Sequence, residues 1–398
     1  MQQADIVIIG AGHAGYQLVK EIRKLNTLHP EQPAPSILLL CADNGDYYSK
    51  PLLSNGFSKG KTATALVQKT AAEMAVEYQI EIQSNCEVHE IDAARQLLHS
   101  CHGDISYQQL VLATGASALT PPLPTAALEI SQPINDLADY QQFLARCEGK
   151  KDICILGAGL VGIEYANDLA SAGFKVSVIA LEQQPLAQLM PAALGEKLAQ
   201  ALMQLGVTFY WGSPIAQAKS NADTKSGHAY CELTLNDGRT FSTELILSAI
   251  GLRPNTALAK KAGLNCGKGI QVDQYLRSSN AHIYAIGDCA EICSHVLMYI
   301  TPINLSAKAL AATLVGQPTP LLLPAMPVLV KSPALPVVSC QNRQPDQSAW
   351  QIRGEGNDLQ ALWFDAQQQL QAFALTGKMV GQRMRLIKQM ANLLPAVG

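Results

Sequence analysis

No apolar run in this sequence is long enough to cross a membrane. The longest, such as residues 321–330, are interrupted by prolines and fall far short of the roughly 18–20 residues that a span needs. Charge is also sparse: 15% of the 398 residues are charged and the net charge is −3. With no basic run, nothing points to nucleic acid as a partner. The ten cysteines have neither framework spacing nor a C-x-x-C pair, which fits reduced thiols and a cytoplasmic location better than a disulfide scaffold. A first buried strand is expected from about residue 4, leaving no room ahead of it for the regions of a signal peptide. What is present is 48% apolar residues and enough length for roughly two to three domains around a large core.

Glycine spacing organises the rest. Residues 5–18 read DIVIIGAGHAGYQL, a short apolar strand followed by Gly10, Gly12 and Gly15 and then an apolar-periodic helix. In G-x-G-x-x-G the first glycine allows the tight turn and the second lets the backbone approach a pyrophosphate. The third lets helix and strand pack closely, while the helix N-terminus faces the phosphates. Residues 151–169 repeat the arrangement with Gly157, Gly159 and Gly162. Two such fingerprints, each between strand and helix, predict two bound dinucleotides.

The acidic positions differ. A strand over 37–41 leads to Asp43, placed to accept the hydroxyls of a ribose, although an Asp-Asn-Gly sequence also suits a solvated turn. The strand over 175–179 leads instead to Ala180, with Glu182 either serving as the acid or simply solvated. No Arg or Lys lies between Ala180 and Met190 to hold a 2′-phosphate, which favours NAD over NADP.

Elsewhere the pattern predicts an amphipathic helix over 63–78, paired strands over 81–92 and 95–102, and a buried strand over 107–115. A proline linker follows at 121–124. Further strands are expected at 207–211, 231–235, 244–250 and 283–286, and a helix at 304–314. From about residue 316 the texture suggests a small α+β unit with a strand at Trp350 and a basic C-terminal helix. Cys86, His89, His99, Cys101 and His102 match no common zinc spacing. Strand alternation would put His102 on the face opposite His99 and Cys101, so no metal is expected. Cys289 and Cys293 read as buried structural thiols, and His13 as a tolerated variable position.

The segments GAGHAG, YSKPLLSN, LVLATGA, GAGLVGIEYANDL, SAIGLRPN, IYAIGDCAE and PAMPVLVKSP together resemble the rubredoxin–NAD reductases and the related flavorubredoxin reductases. These are FAD-dependent pyridine nucleotide oxidoreductases, and the resemblance runs essentially end to end. It implies an α/β fold of two Rossmann-like, glutathione-reductase-like domains plus a small α+β C-terminal domain. The implied plan is an FAD-binding domain in two segments, 1–117 and 245–316, an NADH-binding domain at 118–244 and a C-terminal domain at 317–398.

By the same resemblance, Gly10, Gly12, Ala14, Gly15 and Asp43 bind FAD. Lys50 and Pro51 lie at its flavin side, Val88 at its adenine, and Thr114 and Gly115 close over it. Gly287 and Asp288 meet the ribityl chain and Ile300 contacts the ring region. Gly157, Gly159 and Gly162 receive NADH. Glu164 stands between nicotinamide and flavin, and Lys331 reaches back toward the ring from the third domain. Lys50, Glu164 and Lys331 are the implied catalytic group, the lysines by favouring an anionic reduced ring. Ordinary surface lysines and a first-turn glutamate are the alternative.

The implied activity is electron transfer from NADH through FAD to rubredoxin or the rubredoxin-like domain of flavorubredoxin. From Thr319 onward seven basic residues face four acidic ones, a surplus that suits an acidic partner or merely a solvated helix face. Two other readings stand beside it: an NADH-dependent [2Fe–2S] ferredoxin reductase, and an NADH-binding flavoprotein that acts as sensor or scaffold. Asn55, where related peroxidases and oxidases carry a reactive cysteine, argues against peroxide chemistry.

Overall fold

The computed structural model describes residues 2–31, 33–222, 229–343 and 349–395. Its first sheet is built on the apolar strand Gln2–Ile9. Ile37–Leu40 lies parallel to it on one side and Gly103–Leu112 on the other. Glu81–Gln83 extends the first edge. The long strand Gly103–Leu112 then divides its free side. Its start pairs with Leu97–Ser100, which in turn pairs with Val88–Asp92, and its end pairs in parallel with Ile283–Ala285, a segment that returns much later in the chain. Helix His13–Leu28 packs against helix Ile300–Leu314. The inner stretches of the parallel strands, Ile6–Ile9, Ile37–Leu40, Leu110–Leu112 and Ile283–Ala285, are apolar and buried because both faces are covered there.

The second sheet is wholly parallel, in the order Ser131–Pro133, Leu245–Ser248, Asp152–Leu156, Lys175–Ala180 and Thr208–Trp211. Leu245–Ser248 therefore sits inside this sheet, and a division at residue 245 would cut it. An antiparallel ribbon of Ile215–Ala222, Ala229–Leu235 and Thr240–Thr243 is attached, with a tight turn at Asn236–Gly238. Two connecting strands, Ala116–Ala118 and Leu252–Pro254, run antiparallel to each other between the first and second units.

The third unit is a five-stranded antiparallel sheet, Val328–Val330, Val337–Gln341, Leu370–Thr376, Asp358–Phe364 and Gln351–Glu355. Its central strand Leu370–Thr376 is buried at every residue, and Val337, Ala361, Ala372 and Ala374 share a core with the second sheet. The fold is thus α/β, two Rossmann-type units with an α+β unit at the C-terminus. Among the described residues no helix is long and apolar enough to cross a membrane.

Three expectations fail locally. The strand expected over 81–92 is two, Glu81–Gln83 beside Ile37–Leu40 at one edge of the first sheet and Val88–Asp92 at the other, and only the second pairs with Leu97–Ser100. Residues 63–78 form two short helices, Ala63–Leu66 and Ala71–Tyr78, around a strand Val67–Lys69 that pairs with Tyr47–Tyr48. Thr70 restarts the helix through a reciprocal capping box with Glu73, and Thr62 caps the first piece. The basic C-terminal helix is only Arg383–Ile387, preceded by the 3-10 turn Gly377–Gln382, whose two glycines weaken helix formation.

Candidate functional site

The first glycine turn is shaped by close backbone contacts. Gly10 has φ +119°, and a Cβ there would lie 2.2 Å from the Ala113 carbonyl oxygen. A Cβ at Gly15 would lie 2.1 Å from the Gly10 oxygen. Gly12 caps helix His13–Leu28 without a side-chain hydrogen bond, so the first-turn N–H groups are left to a ligand. The turn opens on a cavity of about 1120 Å³ lined by Gly10, Gly12, Asp43, Val88, Thr114 and Gly115. Six of the residues expected at FAD thus share one cavity. Arg253, Asn255, Lys260 and Lys261 form part of its wall and were not singled out from the sequence.

Asn255 laces the crossover. Its side-chain N–H donates to the Thr114 carbonyl at 2.8 Å, Thr114 Oγ1 donates to the Asn255 carbonyl at 2.9 Å, and its backbone N–H reaches Gly115 at 3.0 Å. The size of the cavity, the uncapped helix and the basic wall suit a long dinucleotide with a pyrophosphate.

Ala14, Gly15, Lys50, Pro51, Gly287, Asp288 and Ile300 stand outside that lining. Gly287, at φ +79°, has room for no side chain, since a Cβ would come within 2.8 Å of the Ala14 Cβ. Burial pushes the Asp288 carboxyl above its ordinary value, with Lys50 and His13 pulling it back. Burial likewise lowers the Lys50 ammonium, opposed by Asp288, Asp136 and Asp139. Lys50 Nζ donates to Asn135 Oδ1 at 2.7 Å, and Pro51 occupies the first turn of the 3-10 helix Lys50–Asn55. Ile300 opens helix Ile300–Leu314, and His13 Nε2 pairs with Asn304 Oδ1 at 2.8 Å.

The second glycine turn repeats the first. A Cβ at Gly157 (φ +99°) would lie 2.6 Å from the Ala249 oxygen, and one at Gly162 would lie 2.0 Å from the Gly157 oxygen. Gly159 caps helix Leu160–Ser171, again without a side-chain bond. At the end of the next strand Ala180 is buried and Glu182 exposed.

Glu164, two residues past Gly162, is 4% exposed. Ser54 Oγ donates to its Oε2 at 2.7 Å, the Lys331 backbone N–H donates to its Oε1 at 3.0 Å, and the Lys331 ammonium forms an ion pair with it. Lys331 Nζ also donates to Ser54 Oγ at 2.6 Å. All three units therefore meet at this carboxylate. The same helix face holds two further polar groups that the sequence reading passed over. Asn167 Oδ1 accepts the Ala334 N–H at 3.0 Å, and the Asp168 carboxylate accepts the Phe57 and Ser58 N–H groups at 2.9 and 3.0 Å. A polar stripe at i, i+3, i+4 in an otherwise apolar helix is the signal that could have found them.

All ten cysteines are free. Cys289 is buried as expected, but Cys293 is exposed, in a turn with φ +46°. Strand Leu97–Ser100 ends before Cys101, so strand alternation does not separate Cys101 from His102. These two and Cys86 come together, while His99 turns to Asp104 at 2.8 Å. Of the C-terminal charges, Lys331 points inward and Asp346 lies outside the described residues.

Residues 4–310 match the family described as pyridine nucleotide-disulphide oxidoreductase, and residues 320–390 match the rubredoxin binding C-terminal domain. The chain is 43% identical to a rubredoxin-NAD(+) reductase of Alcanivorax borkumensis, covering 98% of this chain and 99% of that one. It is 40% identical to a nitric oxide reductase FlRd-NAD(+) reductase of Aeromonas hydrophila, covering 97% and 96%. Among solved structures, it resembles in fold the NADH:rubredoxin oxidoreductase of Clostridium acetobutylicum (TM-score 0.79, 20% identity, 98% and 95% covered). A ferredoxin reductase of Rhodopseudomonas palustris is similar too (TM-score 0.83, 24% identity, 97% and 95% covered). The chain belongs to the pyridine nucleotide-disulphide oxidoreductases, in the branch of the rubredoxin and flavorubredoxin reductases.

Proposed function

We propose that this protein is an NADH-dependent, FAD-containing reductase of rubredoxin or of the rubredoxin-like domain of flavorubredoxin, acting in the cytoplasm. One observation carries the reading. The unit that matches a rubredoxin-binding domain sends Lys331 into the buried carboxylate of Glu164, two residues past the second glycine turn, and onto Ser54 of the first unit. Electron entry and electron exit thereby share one set of side chains. Free cysteines throughout suit the reducing location.

When bound, FAD supplies the adapter between a two-electron hydride donor and a one-electron iron acceptor. The chain's part is to bind and orient. Gly10, Gly12, Ala14 and Gly15 would hold the pyrophosphate end, Asp43 a ribose, and Val88, Thr114 and Gly115 the adenine side and the covering turn. Gly287, Asp288, Ile300, Lys50 and Pro51 would hold the flavin end. Gly157, Gly159 and Gly162 would seat NADH. Ser54 and Lys331 fix the Glu164 carboxylate in one orientation, and Lys50 and Lys331 would supply positive charge to a bound flavin as negative charge develops on it. The domain plan we propose is 1–117 with 249–316 for FAD, 118–248 for NADH and 317–398 for the acceptor, the cut after 248 keeping Leu245–Ser248 in its sheet.

Stopped-flow absorbance tests this. NADH should bleach the flavin rapidly, and purified rubredoxin should restore its colour faster than a [2Fe–2S] ferredoxin or peroxide does. Bleaching without reoxidation by rubredoxin refutes the acceptor, and no bleaching refutes the reductase.

A further inference from the structure

One cluster that the two-nucleotide scheme leaves unused lies at the rim of the first sheet. The hairpin of Leu97–Ser100 and Gly103–Leu112 turns through Cys101 and His102, and Val88–Asp92 runs antiparallel beside it. The residues just before Val88 therefore face the turn. Cys101 N–H donates to the Glu87 carbonyl at 3.0 Å, and Glu87 N–H donates to Cys101 Sγ at 3.3 Å. These bonds hold the turn against Cys86. In consequence Cys86 Sγ, Cys101 Sγ and an imidazole nitrogen of His102 all lie within 4.8 Å of one another.

We propose that Cys86, Cys101 and His102 form a binding site for one soft divalent cation, zinc being the natural case. Two thiolates and an imidazole select zinc over magnesium or calcium, and two thiolates neutralise its charge. Tetrahedral zinc, with bonds of about 2.3 Å to sulfur and 2.0 Å to nitrogen, sets neighbouring ligand atoms about 3.5–3.8 Å apart. The cluster must close by up to about 1 Å to reach that spacing. Cys86, 2% exposed, is the fixed point, whereas Cys101 and His102 are exposed and can close on it by side-chain rotation. The Glu87 N–H already aimed at Cys101 is the kind of outer-shell donor that steadies a metal-bound thiolate. His99 is engaged by Asp104 and stays outside, so the fourth position is left to water.

Binding releases one proton from each thiol, two per zinc, and involves no oxidation. Because Cys86 to His89 form part of the dinucleotide cavity's wall, the ion would clip that wall to the hairpin.

The test uses the full-length, flavin-loaded protein, reduced, stripped by a chelator and dialysed against buffered zinc. The protein should retain one equivalent by elemental mass spectrometry. C101S and H102A, both at exposed positions, should retain none while keeping their flavin absorbance; C86S, at a buried position, is secondary. Zinc should also shield Cys101 from alkylation at residue level while exposed Cys293 still reacts. The proposal fails if reduced protein holds no stoichiometric zinc, if both variants keep it, or if zinc leaves Cys101 alkylation unchanged. It fails equally if a Cys86–Cys101 disulfide is found and its reduction restores no zinc binding.

Discussion

Replacing Lys331 by methionine isolates the ion pair at the meeting point of the three units. Methionine keeps the stem's packing and the backbone N–H that reaches Glu164 at 3.0 Å, and Ser54 Oγ keeps its bond at 2.7 Å. Only the charged head is lost. Removing one partner of a buried pair costs about 3–5 kcal/mol. The Lys331 side chain is 29% exposed against 5% for Glu164, so water can partly replace the ammonium and the cost falls to about 2–3 kcal/mol. E164Q should cost less, about 1–2 kcal/mol, because an amide still accepts a bond and the leftover ammonium lies nearer solvent.

In the double variant the losses overlap, and the coupling should be about 1–2 kcal/mol, where an exposed pair would give less than about 1. The assay is urea denaturation of the flavin-loaded wild type, both singles and the double, at low and high salt. A chain with several units need not unfold in one step, so the same transition must be compared in all four proteins. Coupling between partly buried groups should survive salt that screens surface pairs. A K331M protein as stable as wild type, or a coupling indistinguishable from zero, would show that the pair does not form in solution.

Three further outcomes follow from the same geometry. G15A should abolish flavin retention, while G162A should keep flavin and raise the KM for NADH by about tenfold or more, since each added Cβ meets a carbonyl oxygen near 2 Å; the flavin-to-protein ratio and steady-state kinetics separate the two. N255A removes the bond to the Thr114 carbonyl and, through Oδ1, the one accepted from Ser117 Oγ at 2.8 Å. At about 1 kcal/mol each, flavin release should be roughly tenfold faster or more, read as recovery of free-flavin fluorescence. For Asp288, burial raises the folded-state value, so the ionised carboxylate costs stability at neutral pH and that cost fades as pH falls through the shifted value. D288N should therefore raise the melting temperature of the flavin-free protein at neutral pH, with the gain shrinking toward about pH 4; a gain that is constant with pH refutes the assignment.

Both glycine turns were legible because their spacing encodes a contact within a dozen residues. Gly15 must clear the oxygen of Gly10, and Gly162 that of Gly157. Asp43, Val88, Thr114 and Gly115 reach the same cavity, but resemblance rather than pattern pointed to the last three. Asn255 stayed hidden because its partner Thr114 is 141 residues away, and no periodicity carries that distance. The helix expected over 63–78 failed for a local reason that was in view: the Thr70–Glu73 capping box marks a new start where apolar spacing alone suggested continuity. Cys86, Cys101 and His102 were named but set apart because alternation was extended past Ser100, where the strand stops, whereas their ligand atoms lie within 4.8 Å of one another.

The helix Leu160–Ser171 shows why the three units must dock for the site to exist. Positions i, i+3 and i+4 fall on one helical face, and here they are Glu164, Asn167 and Asp168, all buried. Taken alone, the second unit would leave a carboxylate, an amide and another carboxylate facing its own apolar surroundings, at a cost of a few kcal/mol each if they were desolvated without partners. Each group is satisfied from outside. Asp168 takes N–H donors from Phe57 and Ser58 of the first unit, Asn167 takes one from Ala334 of the third, and Glu164 takes one from Ser54 of the first unit and two from Lys331 of the third, its backbone N–H and its ammonium. The polar stripe that would weaken an isolated unit therefore specifies how the assembled protein closes. On the proposed function, that closure delivers the acceptor unit's Lys331 to the carboxylate beside the NADH turn, so a variant that loosens Asn167 should slow electron exit without touching any residue that binds NADH.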